Sequence, residues 1–177
     1  MIIKNIGKIL FNIPNFFCYK YKVLWLRSLG AKIGAGSIVN CKVPINKAKN
    51  LVVGDYCYID KEVNIALHNK VIIGDRVVIN SKVNLLTGSH DISHSAWPNI
   101  SDKIEICDYA WLATNCLVLP GVKISEGTVV AASSVVTKNY PPYSILASNP
   151  AKLIGTRVKG LNYNPTENVS YIACFKK

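Results

Sequence analysis

The chain has 177 residues and a mass of 19.5 kDa, the size of one domain or of one domain with small attachments. Half of the residues are apolar and only 18% are charged, which excludes a globally disordered chain. Lysine and arginine total 21 against 10 for aspartate and glutamate, and the resulting net charge of +11 predicts attraction to an anionic partner.

The first 29 residues differ from the rest of the chain. Four isoleucines at helical spacing predict a helix over residues 2–13, and Pro14 ends that pattern. A second helical stretch is predicted to run to about Leu29, with Gly30 after its end. Residues 1–29 are either a cap over the domain that begins at residue 30 or a basic, aromatic segment that contacts a membrane surface. Neither a spanning helix nor a cleaved signal peptide is predicted.

Apolar residues then recur at every sixth position, with three interruptions, from residue 33 to residue 136. From Val71 onward, a second small or apolar residue lies two positions before each marker, and residues i and i+2 of a strand share a face. Each hexapeptide is therefore a short strand followed by a turn, and three of them make a coil. The markers are Ile33, Val39, Ile45, Val53, Ile59, Ile65, Ile73, Ile79, Leu85, Ile106, Leu112, Val118, Ile124, Val130 and Val136.

This period predicts an all-β solenoid of about five coils over residues 30–158, because six matches no helical repeat. Glycine and aspartate fall at the predicted turns, where they take up positive φ or cap the turn; they are Gly34, Gly54, Asp55, Gly74, Asp75, Gly121 and Gly127. Cys57 and Cys116 occupy inward positions as small core residues. The six cysteines form no CxxC motif, so we predict reduced thiols in the cytosol.

The gap between Leu85 and Ile106 predicts a loop, residues 86–103, that leaves one corner of the solenoid. Insertions of this kind often carry function, and this one contains two of the three histidines of the chain. Beyond the solenoid, residues 159–177 are predicted to form a loosely held C-terminal tail.

Three segments carry a resemblance to a known family: Gly88–Asp91, residues 106–138 and Ser148–Lys152. Over residues 30–158 the chain resembles the hexapeptide-repeat acyltransferases, which fold as a left-handed parallel β-helix. The resemblance is to the branch containing maltose and galactoside O-acetyltransferases and the O-acetyltransferases of capsule, O-antigen and colanic-acid clusters. It implies the left-handed winding, acetyl-CoA as donor and a sugar hydroxyl as acceptor. It also implies a cytoplasmic homotrimer with its sites between the prisms.

Transfer of an acyl group from a thioester to a hydroxyl needs a base, and histidine is the usual choice because imidazole titrates near neutral pH. His90 falls on the catalytic position of the family; the alternative is an ordinary loop histidine. The resemblance implies the backbone N–H of Thr114 as the donor to the oxyanion. Asp60 falls where the family places an acceptor-binding residue, although it could equally be a turn aspartate. Asn84 and Trp97 are further acceptor-binding candidates, and Trp97 could instead anchor the loop.

The pantetheine arm of acetyl-CoA is expected to lie along small residues, flanked by Trp111; these residues are Ala113, Ala131 and Ala132. Ala113 and Ala131 stand where the family usually has glycine. The phosphates require cations, and the candidates Lys138, Lys152 and Arg157 could equally be solvated surface charges. No metal site, nucleotide-binding loop or nucleic-acid motif is predicted.

Four other functions stay open at this point. An N-acetyltransferase of an amino-sugar nucleotide would need less help from a base, since an amine is the better nucleophile. A serine O-acetyltransferase would be expected to carry a helical domain before the solenoid. A metal-dependent hydratase would need three histidine ligands, and the spacing of His68, His90 and His94 does not suit it. A binding solenoid without catalysis would have no affinity for coenzyme A.

Overall fold

The computed structural model describes residues 18–167 and residue 169. Within them, short strands wind into a three-faced prism, and each strand pairs in parallel with its equivalent in the next coil. Face 1 contains β1 Lys32–Ile33, β3 Leu51–Val53, β6 Val71–Ile73, β11 Ile104–Ile106 and β14 Lys123–Ile124. Face 2 contains β2 Ile38–Val39, β4 Tyr58–Ile59, β7 Val78–Ile79, β12 Trp111–Leu112, β15 Val129–Val130 and β17 Ser144–Ala147. Face 3 contains β5 Asn64–Ala66, β8 Asn84–Leu86, β13 Leu117–Val118 and β16 Val135–Val136. The predicted solenoid is confirmed, with five coils and β17 at the start of a sixth.

The remaining elements attach to this prism. Residues 18–28 form helix α1 at the end of the first coil, and Ala48–Asn50 form a short 3-10 helix. The strands β9 Gly88–His90 and β10 Asn99–Ser101 pair as an antiparallel hairpin within the predicted loop. The strand β18 Lys152–Thr156 runs antiparallel to β17 at the last coil. We name each corner by the faces it joins: the 1/2 corner, the 2/3 corner and the 3/1 corner.

The core is a column of inward side chains that follows the predicted period. All fifteen marker residues, from Ile33 to Val136, are buried, as are the residues of the second register. Cys57 and Cys116 are buried in the same column, and burial raises the pKa of each thiol to about 12. These two cysteines are therefore protonated core residues, as predicted.

Three glycines at the 1/2 corner, Gly34, Gly54 and Gly74, serve close approach between coils and not positive φ. Positive φ falls two residues after the last two of them, at 54° for Tyr56 and 54° for Arg76, which corrects that part of the prediction. Gly121 and Gly127 do take up positive φ as predicted, at 79° and 65°. A Cβ on Gly54 would lie 2.2 Å from the Oδ1 of Asp75 and 2.6 Å from the Gly74 carbonyl oxygen. A side chain at this position would therefore push adjacent coils apart.

The aspartates at the same corner link one coil to the next. Oδ1 of Asp55 accepts from the N–H of Ala35 at 2.6 Å, and Oδ1 of Asp75 accepts from the N–H of Asp55 at 2.8 Å. Asp108 accepts from the N–H of Asp75 at 2.8 Å in the same way. Each carboxylate satisfies a turn N–H of the preceding coil, which fixes the register of the stack.

Helix α1 ends as predicted, with Gly30 in the left-handed region at a φ of 93°. The N–H of Gly30 donates to Arg27 and the N–H of Ala31 donates to Leu26, the two bonds of a Schellman motif. The predicted helix over residues 2–13 lies outside the described residues. Among residues 18–167 and 169, no helix is long and apolar enough to cross a bilayer.

A disulfide joins Cys18 of α1 to Cys41 in the first coil. The prediction that all six cysteines are reduced is therefore wrong for this pair. Their Cα atoms lie 6.3 Å apart because the helix packs across the end of the prism, bringing together residues 23 apart in sequence. The spacing of the cysteines gave no sign of this contact.

Part of the predicted tail is also held against the prism. The Tyr163 ring meets the Tyr109 ring edge-on at 5.4 Å, and the Tyr163 hydroxyl lies 3.2 Å from the Arg157 guanidinium. Thr166 is only 5% exposed. The expectation of a loosely held tail is thus wrong for residues 161–167, because they cover an exposed edge of the 1/2 corner.

The core contains two buried hydroxyls, of Thr128 and Ser134, with no hydrogen-bond partner among the described residues. We expect Thr128→Val to raise the free energy of unfolding by about 1 kcal/mol, since it removes an unsatisfied polar group at nearly constant shape. Urea unfolding at matched protein concentration measures this. The matched control is Ser144→Ala, which removes a buried hydroxyl that does donate, to Pro141 at 2.7 Å. Destabilisation by Thr128→Val would contradict the expectation.

Candidate active site

The root of the β9–β10 hairpin is fixed to the coil beneath it. The buried Thr87 hydroxyl donates to the carbonyl of Ala66 and accepts from the N–H of Asn69 at 2.9 Å. Gly88 lies against His68, whose Cδ2 would be only 2.8 Å from a Cβ at that position. The hairpin therefore leaves the 3/1 corner in a defined direction.

His90 is held by Trp97 from the other side of the hairpin. The two rings stack with centroids 3.7 Å apart and an interplanar angle of 9°. Nδ1 of His90 lies 3.2 Å from the Trp97 carbonyl oxygen. Because a carbonyl can only accept, Nδ1 carries the proton, which leaves Nε2 as the basic nitrogen. The sequence did not reveal this contact.

A cleft of about 360 Å³ lies beside the hairpin and is lined by His68, Gly88, Ser89, His90, Asn99, Ile100 and Ser101. His90 is half-buried at this cleft, where a ligand could reach its ring. His94 is exposed, and its Nδ1 accepts from the N–H of Ala96 at 3.1 Å. The structure thus distinguishes His90, oriented by two contacts, from His94 at the loop tip.

Asp60 lies at the 2/3 corner, directly after β4. One oxygen of its carboxylate accepts from the Ser81 hydroxyl at 2.7 Å, and the other accepts from the Tyr58 hydroxyl at 3.1 Å. Burial, and then the charge of Asp60, raise the pKa of Tyr58, so its phenol stays a donor. Sequence reasoning missed Ser81 and Tyr58 as partners of Asp60. The period places Ser81 one coil above Asp60, and this spacing could have indicated the contact.

Asn84 begins β8 on the outer side of face 3. Its Nδ2 donates to the Lys82 carbonyl at 2.9 Å, and its Oδ1 accepts from Asn64 of the coil below at 3.3 Å. Asn84 is thus one member of an asparagine pair that links two coils. Its acceptor-binding role stays a prediction.

The small residues predicted to line the donor channel share the 2/3 corner with Asp60. Ala113 and Ala131 each donate an N–H to the coil above, to Val130 and Leu146. The N–H groups of the next residues, Thr114 and Ala132, have no hydrogen-bond acceptor within residues 18–167 and 169, and both residues are exposed. The corner therefore presents open backbone donors beside small side chains, as an extended amide-containing ligand requires.

Trp111 stands on the outer side of face 2, two residues before Ala113 and 40% exposed. It is in register with Val78 below and Val129 above. Its place at the boundary of the donor channel stays a prediction.

The three predicted phosphate-binding cations lie in different places. Lys152 is exposed on β18 and pairs with Ala147 above the 2/3 corner, whereas Lys138 follows β16 at the 3/1 corner. The guanidinium of Arg157 donates to the carbonyl oxygens of Tyr109 at 3.0 Å and Gly127 at 3.4 Å. These bonds tie Arg157 to the 1/2 corner, away from the other two cations, where it holds the chain end.

A single chain keeps the two halves of the predicted site apart. Thr114 and Asp60 lie at the 2/3 corner, and His90 leaves the 3/1 corner, at opposite ends of the strands of face 3. Six extended residues at about 3.3 Å each separate these corners by roughly 20 Å. No group of three or more metal-ligating side chains was found in the part of the chain that the structure describes.

No protein-family model matches the chain. Among known proteins, the chain is 38% identical to WcaF of Escherichia coli (strain K12), named as a colanic acid biosynthesis acetyltransferase, over 80% of this chain and 78% of that protein. It is 29% identical to the galactoside O-acetyltransferase of the same organism, over 73% of this chain and 65% of that protein.

A solved structure of an acetyltransferase is also similar to this chain. The hexapeptide-repeat acetyltransferase VCA0836 of Vibrio cholerae, in complex with acetyl-CoA, superposes with a TM-score of 0.73 at 28% identity, over 77% of this chain and 76% of that one. Its fold confirms the predicted left-handed β-helix. The chain therefore belongs to the hexapeptide-repeat acetyltransferase family, and acetyl-CoA is its acyl donor.

Proposed function

We propose that this protein transfers the acetyl group of acetyl-CoA to a hydroxyl of a sugar during assembly of a surface polysaccharide, with His90 as the general base. The observation that carries the proposal is the orientation of His90: Nδ1 is held by the Trp97 carbonyl, and Nε2 is left to accept a proton. The similarity to WcaF and to a galactoside O-acetyltransferase supports a saccharide acceptor.

The proposed reaction has two steps. Nε2 of His90 takes the proton of the acceptor hydroxyl as its oxygen attacks the thioester carbonyl carbon. The N–H of Thr114 donates to the oxyanion of the tetrahedral intermediate. When the intermediate collapses, the carbon–sulfur bond breaks, and the imidazolium of His90 returns its proton to the thiolate of coenzyme A. The products are an acetyl ester and free coenzyme A.

We propose that the site forms between two copies of the chain in a cytoplasmic homotrimer, where acetyl-CoA is available. Roughly 20 Å between the corners is too far for His90 and Thr114 of one chain to act on one carbonyl group. A cyclic trimer uses one heterologous contact three times, so it can place the 3/1 corner of each copy against the 2/3 corner of the next.

The test is the release of coenzyme A from acetyl-CoA in the presence of free sugars, oligosaccharides, amino-sugar nucleotides and serine. We expect release with a saccharide, and an acetylated product that loses its acetyl group in mild alkali, as an ester does. An alkali-stable amide would instead indicate an N-acetyltransferase, and acetylserine a serine O-acetyltransferase. No release with any acceptor would overturn the proposal.

Asp60 gives a test of the acceptor site. We expect Asp60→Ala to raise the acceptor KM about tenfold or more, the effect of losing a hydrogen bond to a charged group, with the acetyl-CoA KM unchanged. Ser81→Ala should raise the acceptor KM less, because it removes only one hydrogen bond that orients the Asp60 carboxylate and leaves the carboxylate in place. The matched control is Glu62→Ala, which removes an exposed carboxylate at the same corner, 4.0 Å from Lys82. Equal effects of the Asp60 and Glu62 substitutions on the acceptor KM would rule out the role of Asp60.

A further inference from the structure

We propose that the first-coil end of the prism docks on the surface of a lipid bilayer that contains anionic lipids. The docking surface consists of the outer side of α1 and the lysines of the first coil. The proposal is independent of the acetyl-transfer reaction and is tested without it.

The positive charge of the protein is concentrated at this end. The first 54 residues contain nine lysines and arginines and no aspartate or glutamate, whereas the other 123 contain twelve cations and ten acids. Nine of the eleven net positive charges therefore lie in the first 54 residues, and seven of these nine cations belong to the described helix and first coil. In the described part of this segment, the exposed cations are Lys20, Arg27, Lys32, Lys42, Lys47 and Lys49.

A charge distribution of this kind orients the molecule towards an anionic surface. Each lysine or arginine close to an anionic leaflet adds to the attraction, so six together favour reversible binding. With only two net charges in the rest of the chain, the first-coil end is the one that approaches the surface.

Helix α1 adds an apolar surface among these charges. Val23 and Leu26 face the core, at 9% and 0% exposure. Side chains three to four residues apart form an exposed stripe on the outer side, with exposures of 71% for Tyr21, 61% for Leu24, 40% for Trp25 and 49% for Leu29. Tyrosine and tryptophan favour the headgroup region, and leucine favours the acyl boundary.

The stripe is fixed in this outward position. Near Cys18, the Nδ2 of Asn40 in the first coil donates to the Tyr19 hydroxyl of α1 at 3.0 Å, a contact that does not depend on the disulfide. The Arg27 guanidinium donates to the carbonyl oxygens of Ile33 at 2.6 Å and Gly34 at 3.1 Å at the other end of the helix. These contacts and the buried Val23 and Leu26 keep the described part of the helix with the stripe outward, so binding does not require refolding.

The docking surface lies close to His90. A groove of about 580 Å³ beside it is lined by residues that include Trp25, Lys42, Lys47 and His68. His68 also lines the cleft of His90. Coils are about 4.8 Å apart, so the His90 hairpin of the third coil lies on the order of 10 Å above the first coil. A docked molecule would hold its base within reach of an acceptor attached to the same surface.

The test is flotation of the full chain with vesicles of phosphatidylcholine alone or with about a third phosphatidylglycerol, at low and high salt. We expect binding to the anionic vesicles only, reduced about tenfold or more by high salt, because exposed charges are screened. The double substitution Lys42→Glu with Lys47→Glu should reduce vesicle binding at low salt. The double substitution Leu24→Ser with Trp25→Ser should reduce vesicle binding about tenfold. The control pair is Leu153→Ser with Ile154→Ser, which removes side chains of similar exposure, 52% and 63%, at the last coil.

Sedimentation of the same variants completes the test. We expect Leu24→Ser with Trp25→Ser to leave the oligomeric state unchanged. Absence of binding to anionic vesicles at low salt, or equal losses for the helix pair and the control pair, would overturn the proposal. A change of oligomeric state in the helix pair would also overturn it, because a second copy of the chain would then cover the stripe.

Discussion

His90→Ala is expected to lower kcat about 10²–10⁴-fold, the usual contribution of a positioned general base. The hydroxyl nucleophile needs a group to take its proton, and the Trp97 carbonyl fixes the imidazole so that Nε2 can do so. Coenzyme A binding is expected to change less than about twofold, because in the proposed site His90 acts on the acceptor hydroxyl while the 2/3 corner of the neighbouring copy holds the coenzyme. Steady-state kinetics and calorimetric titration with coenzyme A measure the two effects separately.

The matched control is His94→Ala, which removes the other histidine of the same loop. His94 contacts the N–H of Ala96 at the loop tip and is exposed, so kcat should stay close to that of the unchanged protein. Similar losses in the two variants would show that loop structure, and not a base at position 90, limits the reaction. A small effect of His90→Ala on transfer to an amine would favour N-acetylation.

Activity is expected to return when two inactive variants assemble together. His90→Ala lacks the proposed base, and Ala131→Trp fills the small corner of the proposed donor channel. Because the proposed site combines the 3/1 corner of one copy with the 2/3 corner of the next, a mixed trimer contains some sites with both parts intact. Every mixed trimer contains one intact site of three, so isolated mixed trimers should show about a third of full activity, and the unsorted random mixture about a quarter.

Co-expression of the two variants with different affinity tags, followed by sequential purification, isolates the mixed trimers. Ala35→Trp is the control substitution, since Ala35 is also exposed but lies at the 1/2 corner. It should keep full activity alone. Mixed trimers as inactive as the separate variants would show that base and donor belong to one chain.

The period of six was sufficient to predict the parallel solenoid and its core, whereas the left-handed winding was implied by the family resemblance. Ile59, Ile79 and Leu112 stack as buried markers of successive coils, as the sequence indicated. This works because a solenoid repeats one local rule, and each coil contacts mainly its neighbours. His90 could be singled out for a related reason: a break in a strict repeat is easy to see.

Contacts between segments distant in sequence could not be predicted. Cys18 reaches Cys41 only because α1 crosses the end of the prism, and Arg157 reaches Tyr109 across 48 residues. The pairing of Trp97 with His90 depends on the turn of the hairpin. None of these contacts follows from a period, because each is set by how the ends and the loop fold back on the coils.

The hairpin that carries His90 enters and leaves the prism without altering its winding. Ile104 of β11 pairs with Val71 of β6, and Leu85 of β8 pairs with Val118 of β13, so the coils on either side stay in step. Length and composition of this excursion can thus change with little effect on the thermodynamic stability of the scaffold. The excursion is therefore a segment that can be exchanged between relatives while the scaffold is kept, which separates variation of the loop from maintenance of the fold.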